Sequence, residues 1–537
     1  MITKYILPVV AIALAATSCV EDKGNYEYTE LNEVSIDEVE ERYNVLSQLD
    51  DLVIKPKVTG SLSGEQLDNY EFKWHICNGG VTSNNGAPHT HKVIGHEKDL
   101  NWHVDIESGS YSIIYTVSEK NTGIESTFSI PLTVSSPNSK GFLLYGGVNG
   151  SSTIGLDMLS MPINRDTVMI EDVFDNSQLN LTSPRKLFYS GTHYNKDPET
   201  SDAIKFYMMT EDETYLMNIG DKFTIASTFS ALGKIDCQYD IKRPIRPVDV
   251  FPKGGYNMSS NLSNRLRMYM TEDAIFANSF MGLEYYALPA NRYSNTATSP
   301  LFKFYPDIFF NIPALSNYSA TAYIYDTDSD KLVTFSINFG NVEKSVEIED
   351  KPNDAWSFDF KKENRKLVYG ESGYSSSGLI YLLVKDSNNG DLFIYTMDRN
   401  KNKNLFPVDK NIAEGIENGK FMCFSPARYS LFYAIGNTIY QYDYNIGSQK
   451  LIKTALDSEI TFLETEYQSG HKSDQLIVAT WSDSDKGMIY KYDVNTNPNI
   501  TEIKLRERDQ WPTRLKIKDI EWFNTNQRIV LLIRHTA

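Results

Sequence analysis

The chain is predicted to be all-β, a small N-terminal β-sandwich followed by a β-propeller, and three observations carry that reading. Aromatic residues make up 12% of the sequence, 34 of them tyrosine, and short runs rich in Val, Ile and Tyr recur throughout, a composition that suits pleated, half-buried surfaces. The run "YEFKWHI" places Tyr70, Phe72 and Trp74 on one face and Glu71, Lys73 and His75 on the other, the period-2 pattern of a strand covered on one side. Beyond Gly141 an apolar hairpin theme repeats at intervals of roughly 45 to 60 residues, the spacing of propeller blades.

The first element, residues 1–18, reads as a signal peptide. Lys4 precedes an apolar stretch from Ile6 to Ala16, which is too short to span a bilayer. Small residues Ala16, Thr17 and Ser18 lead into Cys19, where a lipoprotein signal peptidase is expected to cut. The competing reading is an ordinary signal with Cys19 incidental. Acyl chains on Cys19 would bury at about 0.8 kcal/mol per CH₂, enough for stable attachment without a membrane-spanning helix. Residues 19–31 then form an acidic tether.

Residues 32–138 read as the sandwich. "DLVIKPKVTG" supplies an extended run. Tyr111, Ile113, Tyr115 and Val117 alternate on one later strand, and Phe128, Ile130, Leu132 and Val134 on the next. A buried tryptophan on a central strand followed by a closing hairpin is how immunoglobulin-like sandwiches fill their core. Asp37 to Gln48 reads as room for a helical turn or two.

The Tyr70-x-Phe72-x-Trp74 strand, the Gly109-x-Tyr111…Tyr115-x-Val117 strand and "CVEDKGNYEYTELNEVSI" behind Cys19 together resemble the PKD-like family lipoproteins of Bacteroidota. The resemblance covers the first 140 residues well and the remainder only as overall architecture. It implies a PKD-like sandwich, lipidation of Cys19, and a surface-export signal at Glu21 and Asp22. It further implies a cell-surface, outer-membrane location. The function implied is that of a non-catalytic accessory to a TonB-dependent, starch-utilisation-type importer, working beside its lid lipoprotein and capturing oligopeptides or glycans.

Residues 139–537 read as the propeller. Its clearest hairpins align on Ile394-Tyr395, Ile439-Tyr440 and Ile489-Tyr490, spaced by 45 and 50 residues. Weaker copies fall at 321–337, 265–280 and 205–219. Each blade is expected to be a four-stranded sheet with the visible hairpin as its middle pair. "GFLLYGGVNGSSTIGLDML" opens the domain without preceding strands, and "IKDIEWF" and "RIVLLIR" end it without a following hairpin. Pairing the two ends completes a seventh blade and removes exposed sheet edges. An eighth blade would need a hidden copy between 280 and 320.

Charge narrows the partners. Asp and Glu total 70 against 52 Lys and Arg, a net charge of −18, which argues against nucleic acid. Cys77, Cys237 and Cys423 are widely spaced and outline no disulfide framework. Five of the eight histidines, His75, His89, His91, His96 and His103, fall within the sandwich. His89 and His91 form an H-x-H pair, weak candidates for zinc or copper, although a solvated polar loop explains them more simply. Asp326-x-Asp328-x-Asp330, Asp386-x-Asn388-x-Gly390 and Asp483-x-Asp485-x-Gly487 look like cation loops, yet these residue types are also the default hairpin-turn residues.

No metal or cofactor is expected. "YGESGYSSSG" lacks a G-x-S-x-G nucleophile elbow. After residue 140 only His193, His471 and His535 remain, and the pair Asp519 and Glu521 shares one strand face, which alone does not make a glycosidase. Three alternatives to the accessory reading stay open: a binder of a metal chelate such as a siderophore, a propeller hydrolase or lyase acting on glycans or peptides, and a purely structural docking protein. For the anchor, Cys19→Ser is expected to leave the protein unprocessed or unanchored, and palmitate labelling that persists in this variant would count against lipidation at Cys19.

Overall fold

The computed structural model describes residues 31–524 apart from 79–90, 163–165, 191–205, 221, 254–265, 280–284, 297–298, 312–318, 339–340, 374–377, 427, 467–474 and 495–503. Cys19, Glu21, Asp22, His89, His193, His471, His535 and the "RIVLLIR" run lie outside the described residues. The chain divides into two compact units, one ending at Ser135 and one beginning at Ser136. Among the described residues there is no α-helix, and no helix is long and apolar enough to cross a membrane.

The first unit is a sandwich. Its main sheet has five strands, in the order Tyr43–Leu46, Glu125–Ser135, Gly109–Glu119, Tyr70–Asn78 and His91–Gly95. Two-stranded ribbons pair Val34–Asp37 with Lys57–Gly60 and Asp51–Ile54 with Leu100–His103. Trp74 is fully buried, stacks on Tyr115 at 3.9 Å between ring centroids and donates its indole N–H to the Glu97 carbonyl at 2.8 Å. The hydrogen bond matters because a buried indole N–H without a partner would offset much of the ring's hydrophobic gain. The helical turn expected between Asp37 and Gln48 is replaced by the strand Tyr43–Leu46, which pairs in parallel with Leu132–Ser135. Tertiary pairing of Tyr43 and Val45 overrides the helical leaning of the glutamate-rich stretch before them.

Among the described residues the second unit contains seven sheets, numbered here as blades along the chain. Blade 1 joins Val168–Ile170, Ile154–Ser160 and Lys140–Val148 to Leu515–Asn524. Blade 2 runs through Pro184–Tyr189, Phe206–Thr210, Thr214–Asn218 and Thr224–Thr228. Blade 3 comprises Asp249–Phe251, Leu266–Met270 and Ile275–Ser279; blade 4 comprises Ser319–Asp326, Lys331–Asn338 and Asn341–Val342. A further edge on blade 4 comes from the bridges Phe304 to Asp326 and Phe309 to Tyr323. Blade 5 spans Arg365–Pro407, blade 6 Lys420–Ala455 and blade 7 Glu459–Thr513, each with four strands.

Seven apolar seams join these sheets into a closed ring. Leu156 of blade 1 meets Leu187 of blade 2, and Tyr207 of blade 2 meets Tyr269 of blade 3. Met268 of blade 3 meets Ile324 of blade 4, and Tyr325 of blade 4 meets Tyr395 of blade 5. Ile394 packs with Tyr433, Phe432 with Val478, and Ile477 with Leu144 and Ile517, which returns the ring to blade 1. The middle strands read as unbroken apolar runs because both their faces are covered. In blade 5, Ile380, Leu382 and Val384 enter the seam with blade 4, whereas Tyr381 and Leu383 enter the seam with blade 6.

Closure rests on the C-terminal strand. Leu515–Asn524 pairs antiparallel with Lys140–Val148, with a bulge between Tyr145 and Gly146. A side chain at Gly146 would run into the Lys516 carbonyl, so the bulge requires glycine. Arg514 grips buried Asp157 through two nitrogens, at 3.0 and 2.6 Å, and reaches Asp172 at 2.6 Å, a forked pairing that also fixes orientation. Ile517→Ala, at a fully buried position of the closing seam, is expected to cost the propeller about 2–5 kcal/mol, read as a lower urea midpoint by near-UV circular dichroism.

Candidate functional site at the channel mouth

The inner strand of each blade lies at the centre of the ring, the first of its blade in chain order except in blade 1, where it is Leu515–Asn524. Pro184–Tyr189 runs beside Leu515–Asn524 and Asp249–Phe251, and Lys420–Phe424 runs beside Arg365–Ser372 and Glu459–Thr465. Neighbouring inner strands form no ladder with one another, so their inward N–H groups need other acceptors. Side chains supply them. Leu187 N–H donates to Asp519 Oδ2 at 2.7 Å and Tyr189 N–H to Glu521 Oε1 at 3.2 Å. Phe424 N–H donates to Glu371 Oε1 at 2.5 Å, and Phe310 N–H to Ser372 Oγ at 3.0 Å. Asp519 and Glu521, which the sequence placed on one strand face, are therefore staples between blades 1 and 2.

Where several inner strands finish, a cavity of about 280 Å³ opens. Its wall includes Lys186, Asp249, Lys253, Asp307, Glu371 and Glu464, with the rings of Tyr305, Tyr369 and Phe424 among them. Asp249 is buried and bonds both ammonium groups, Lys186 through Oδ2 and Lys253 through Oδ1 at 2.6 Å. Burial alone would raise its carboxyl, but the two cations outweigh burial and hold it down at about 2. Among the described residues the other acids form no ion pair, and for Asp307 and Glu464 the more distant Lys186 and Lys253 offset burial only in part. Burial pushes Glu371 up to about 8, against hydrogen bonds from the Tyr369 hydroxyl and the Phe424 N–H. Burial likewise lifts Asp307 to about 7, and Glu464 to about 7 with Asp519 adding repulsion.

An aromatic path leads outward from this wall. Phe424 stacks on Tyr381 at 4.8 Å and lies 6.1 Å from Tyr444, which in turn lies 5.7 Å from Tyr429, a residue 52% exposed. A wider groove of about 790 Å³ runs along blades 3 and 4 past Tyr239, Phe302, Asp240 and Glu272. Its acids are solvated or paired, as Glu272 is to exposed Lys242 and buried Arg246. The channel mouth is the stronger candidate because buried charge is expensive and is kept where it is used.

Other sequence candidates lie elsewhere. His91 opens the edge strand of the sandwich opposite Cys77, whereas its H-x-H partner His89 is outside the described residues. Asp326 Oδ1 accepts the N–H groups of Asp328 and Ser329, and Asp386 Oδ1 that of Asn388. Those carboxylates cap their own turns. Among the described residues no three His, Cys, Asp or Glu side chains converge to hold a metal. The channel acids and Lys253 escaped sequence reading, although an inner-strand end with a charge nearby recurs in "DVFPK", "FYPD", "YGES" and "FLETE".

The molecule is thus an all-β protein with a closed seven-sheet propeller and a charged, aromatic-walled channel mouth. Residues 19–178 match the model of the PKD-like family, so the chain carries a PKD-like domain at its N-terminal end. Among solved structures, a quinonprotein alcohol dehydrogenase-like protein from Bacteroides thetaiotaomicron is 13% identical, with 93% of this chain and all of that chain covered and a TM-score of 0.35. A DUF4784 family protein from Bacteroides caccae is 10% identical, over 91% of this chain and 98% of that one, with a TM-score of 0.26. An apocarotenoid oxygenase from Synechocystis is 8% identical, over 89% and 97%, with a TM-score of 0.27. No curated protein matches the chain.

The channel acids give a pH dependence of stability. Glu371 has an ordinary value of 4.5 and a folded value of about 8, so the folded state holds the extra proton between them. Its contribution is full below the unfolded value and is lost as pH rises through the folded one. Propeller stability is expected to fall from pH 5 to pH 9. In Glu371→Gln, which keeps an acceptor for Phe424 N–H, the fall is expected to be shallower in denaturation series across that range.

Proposed function

We propose that the protein is a surface-anchored binding protein, held through a lipidated Cys19. In this reading it serves as a non-catalytic subunit of a TonB-dependent nutrient importer, beside the lid lipoprotein, and its propeller captures oligopeptides or glycans at the channel mouth. The observation that carries the binding reading is the cavity wall. Tyr305, Tyr369 and Phe424 offer ring faces, and carboxyl groups between them offer hydrogen bonds, the mix of apolar wall and few polar anchors that ligand pockets use. Both described cations of the wall, Lys186 and Lys253, already bind Asp249, which favours neutral or cationic ligand groups over an anionic metal chelate.

A hydrolase reading draws on one specific feature, the spread between Asp249 at about 2 and Glu371 at about 8. Carboxyl groups held in opposite protonation states are what acid–base chemistry employs. Against it, Asp249 is taken up by two lysines and Glu371 by Tyr369 and the Phe424 backbone. The test is affinity capture of the tagged, membrane-anchored protein from gently solubilised outer membranes, followed by mass spectrometry. Co-recovery of a TonB-dependent transporter with its lid lipoprotein, and of intact peptides or glycans, is expected. Recovery of the protein alone would count against the importer role, and turnover of added glycans or peptides that Glu371→Gln abolishes would favour the hydrolase.

A further inference from the structure

The sandwich carries a histidine arrangement that the sequence did not single out. His75 and Cys77 are two residues apart on the strand Tyr70–Asn78, so they share its outer face, opposite buried Trp74 and Ile76. The edge strand His91–Gly95 sets His91 directly across from Cys77 and Val93 across from His75. His75 and His91 are therefore diagonal neighbours, within reach of each other's side chains. Their rings meet at 4.3 Å between centroids with 36° between planes. His91 is exposed to solvent and His75 is half-buried.

His75 Nδ1 is buried and, among the described residues, has no hydrogen-bond partner. A neutral imidazole keeps one nitrogen as a lone-pair acceptor, and an unsatisfied buried polar atom in a native fold calls for an explanation. Burial, the neighbouring His91 and then Lys73 lower the His75 pKa. Two adjacent imidazoles at an accessible sheet edge are a ligand pair for a borderline divalent metal. Cys77 turns its thiol toward the Ser112 carbonyl instead, at 3.9 Å.

We propose that His75 and His91 form a two-histidine site for a divalent transition metal, zinc above all, with solvent completing the coordination. Binding needs only side-chain rotation to turn one nitrogen of each ring toward a common point. No third protein ligand is invoked, consistent with the absence of a three-ligand cluster among the described residues. The pair differs from the H-x-H reading, because one ligand comes from each of two hydrogen-bonded strands.

The test is titration of the full chain with zinc chloride against a competing chelator dye, with His75→Gln, His91→Ala and His89→Ala variants in parallel. Folding of each variant is checked by its unliganded melting temperature. His75→Gln and His91→Ala are each expected to weaken zinc binding by more than about tenfold, since even the outer partners of metal ligands are worth that much. His89→Ala is expected to leave it unchanged, and zinc is expected to raise the melting temperature of the native chain but not of a variant carrying both His75→Gln and His91→Ala. Zinc affinity that survives His75→Gln, or that disappears with His89→Ala, would overturn the assignment.

Discussion

Everything in the larger unit depends on one strand pairing, that of Leu515–Asn524 with Lys140–Val148. A row of sheets packed face to face ends in two open faces, each with apolar residues in water. Joining the last strand to the first blade turns the row into a ring, so each seam has a neighbour on both sides. The packing of Ile477 against Leu144 and Ile517 is then as protected as any seam in the middle of the chain. The forked Arg514–Asp157 contact stands at the start of this strand and fixes where it enters.

The ring brings its innermost strands close together and forces carboxyl groups into a confined space. Three physical solutions to that cost stand side by side. Asp249 keeps its charge by holding two ammonium groups. Asp519 and Glu521 accept backbone N–H groups from the next blade, although burial still raises the Asp519 carboxyl above its ordinary value. Glu464, without a cation of its own, shifts toward the neutral acid. The channel mouth therefore combines fixed charge with groups whose charge a ligand could change.

Much of this fold was legible in the sequence where both faces of a strand are buried. "LIYLLV" and "LFYA" announce themselves because alternate residues serve opposite seams. The inner strands were illegible for the complementary reason. Asp249–Phe251 is three residues long, and the inner edge of blade 4 passes through Pro306, which no strand pattern anticipates. Asp519 and Glu521 were seen to share a face, but their partners Leu187 and Tyr189 lie 332 residues away, a pairing no local pattern encodes. Likewise the ring that His91 meets across the sheet is that of its diagonal neighbour His75, while the eye is drawn to His89 in sequence.

The ring closure also has a consequence in time. During synthesis the strand Lys140–Val148 emerges early, with one edge open, and its partner is made only after the six other sheets. Contacts so distant in sequence form slowly, and an unpaired apolar edge is an invitation to pair with the wrong chain. Ring closure therefore waits for Leu515–Asn524, the last of the described strands to be made, and until then the first blade carries an edge that the finished ring does not have.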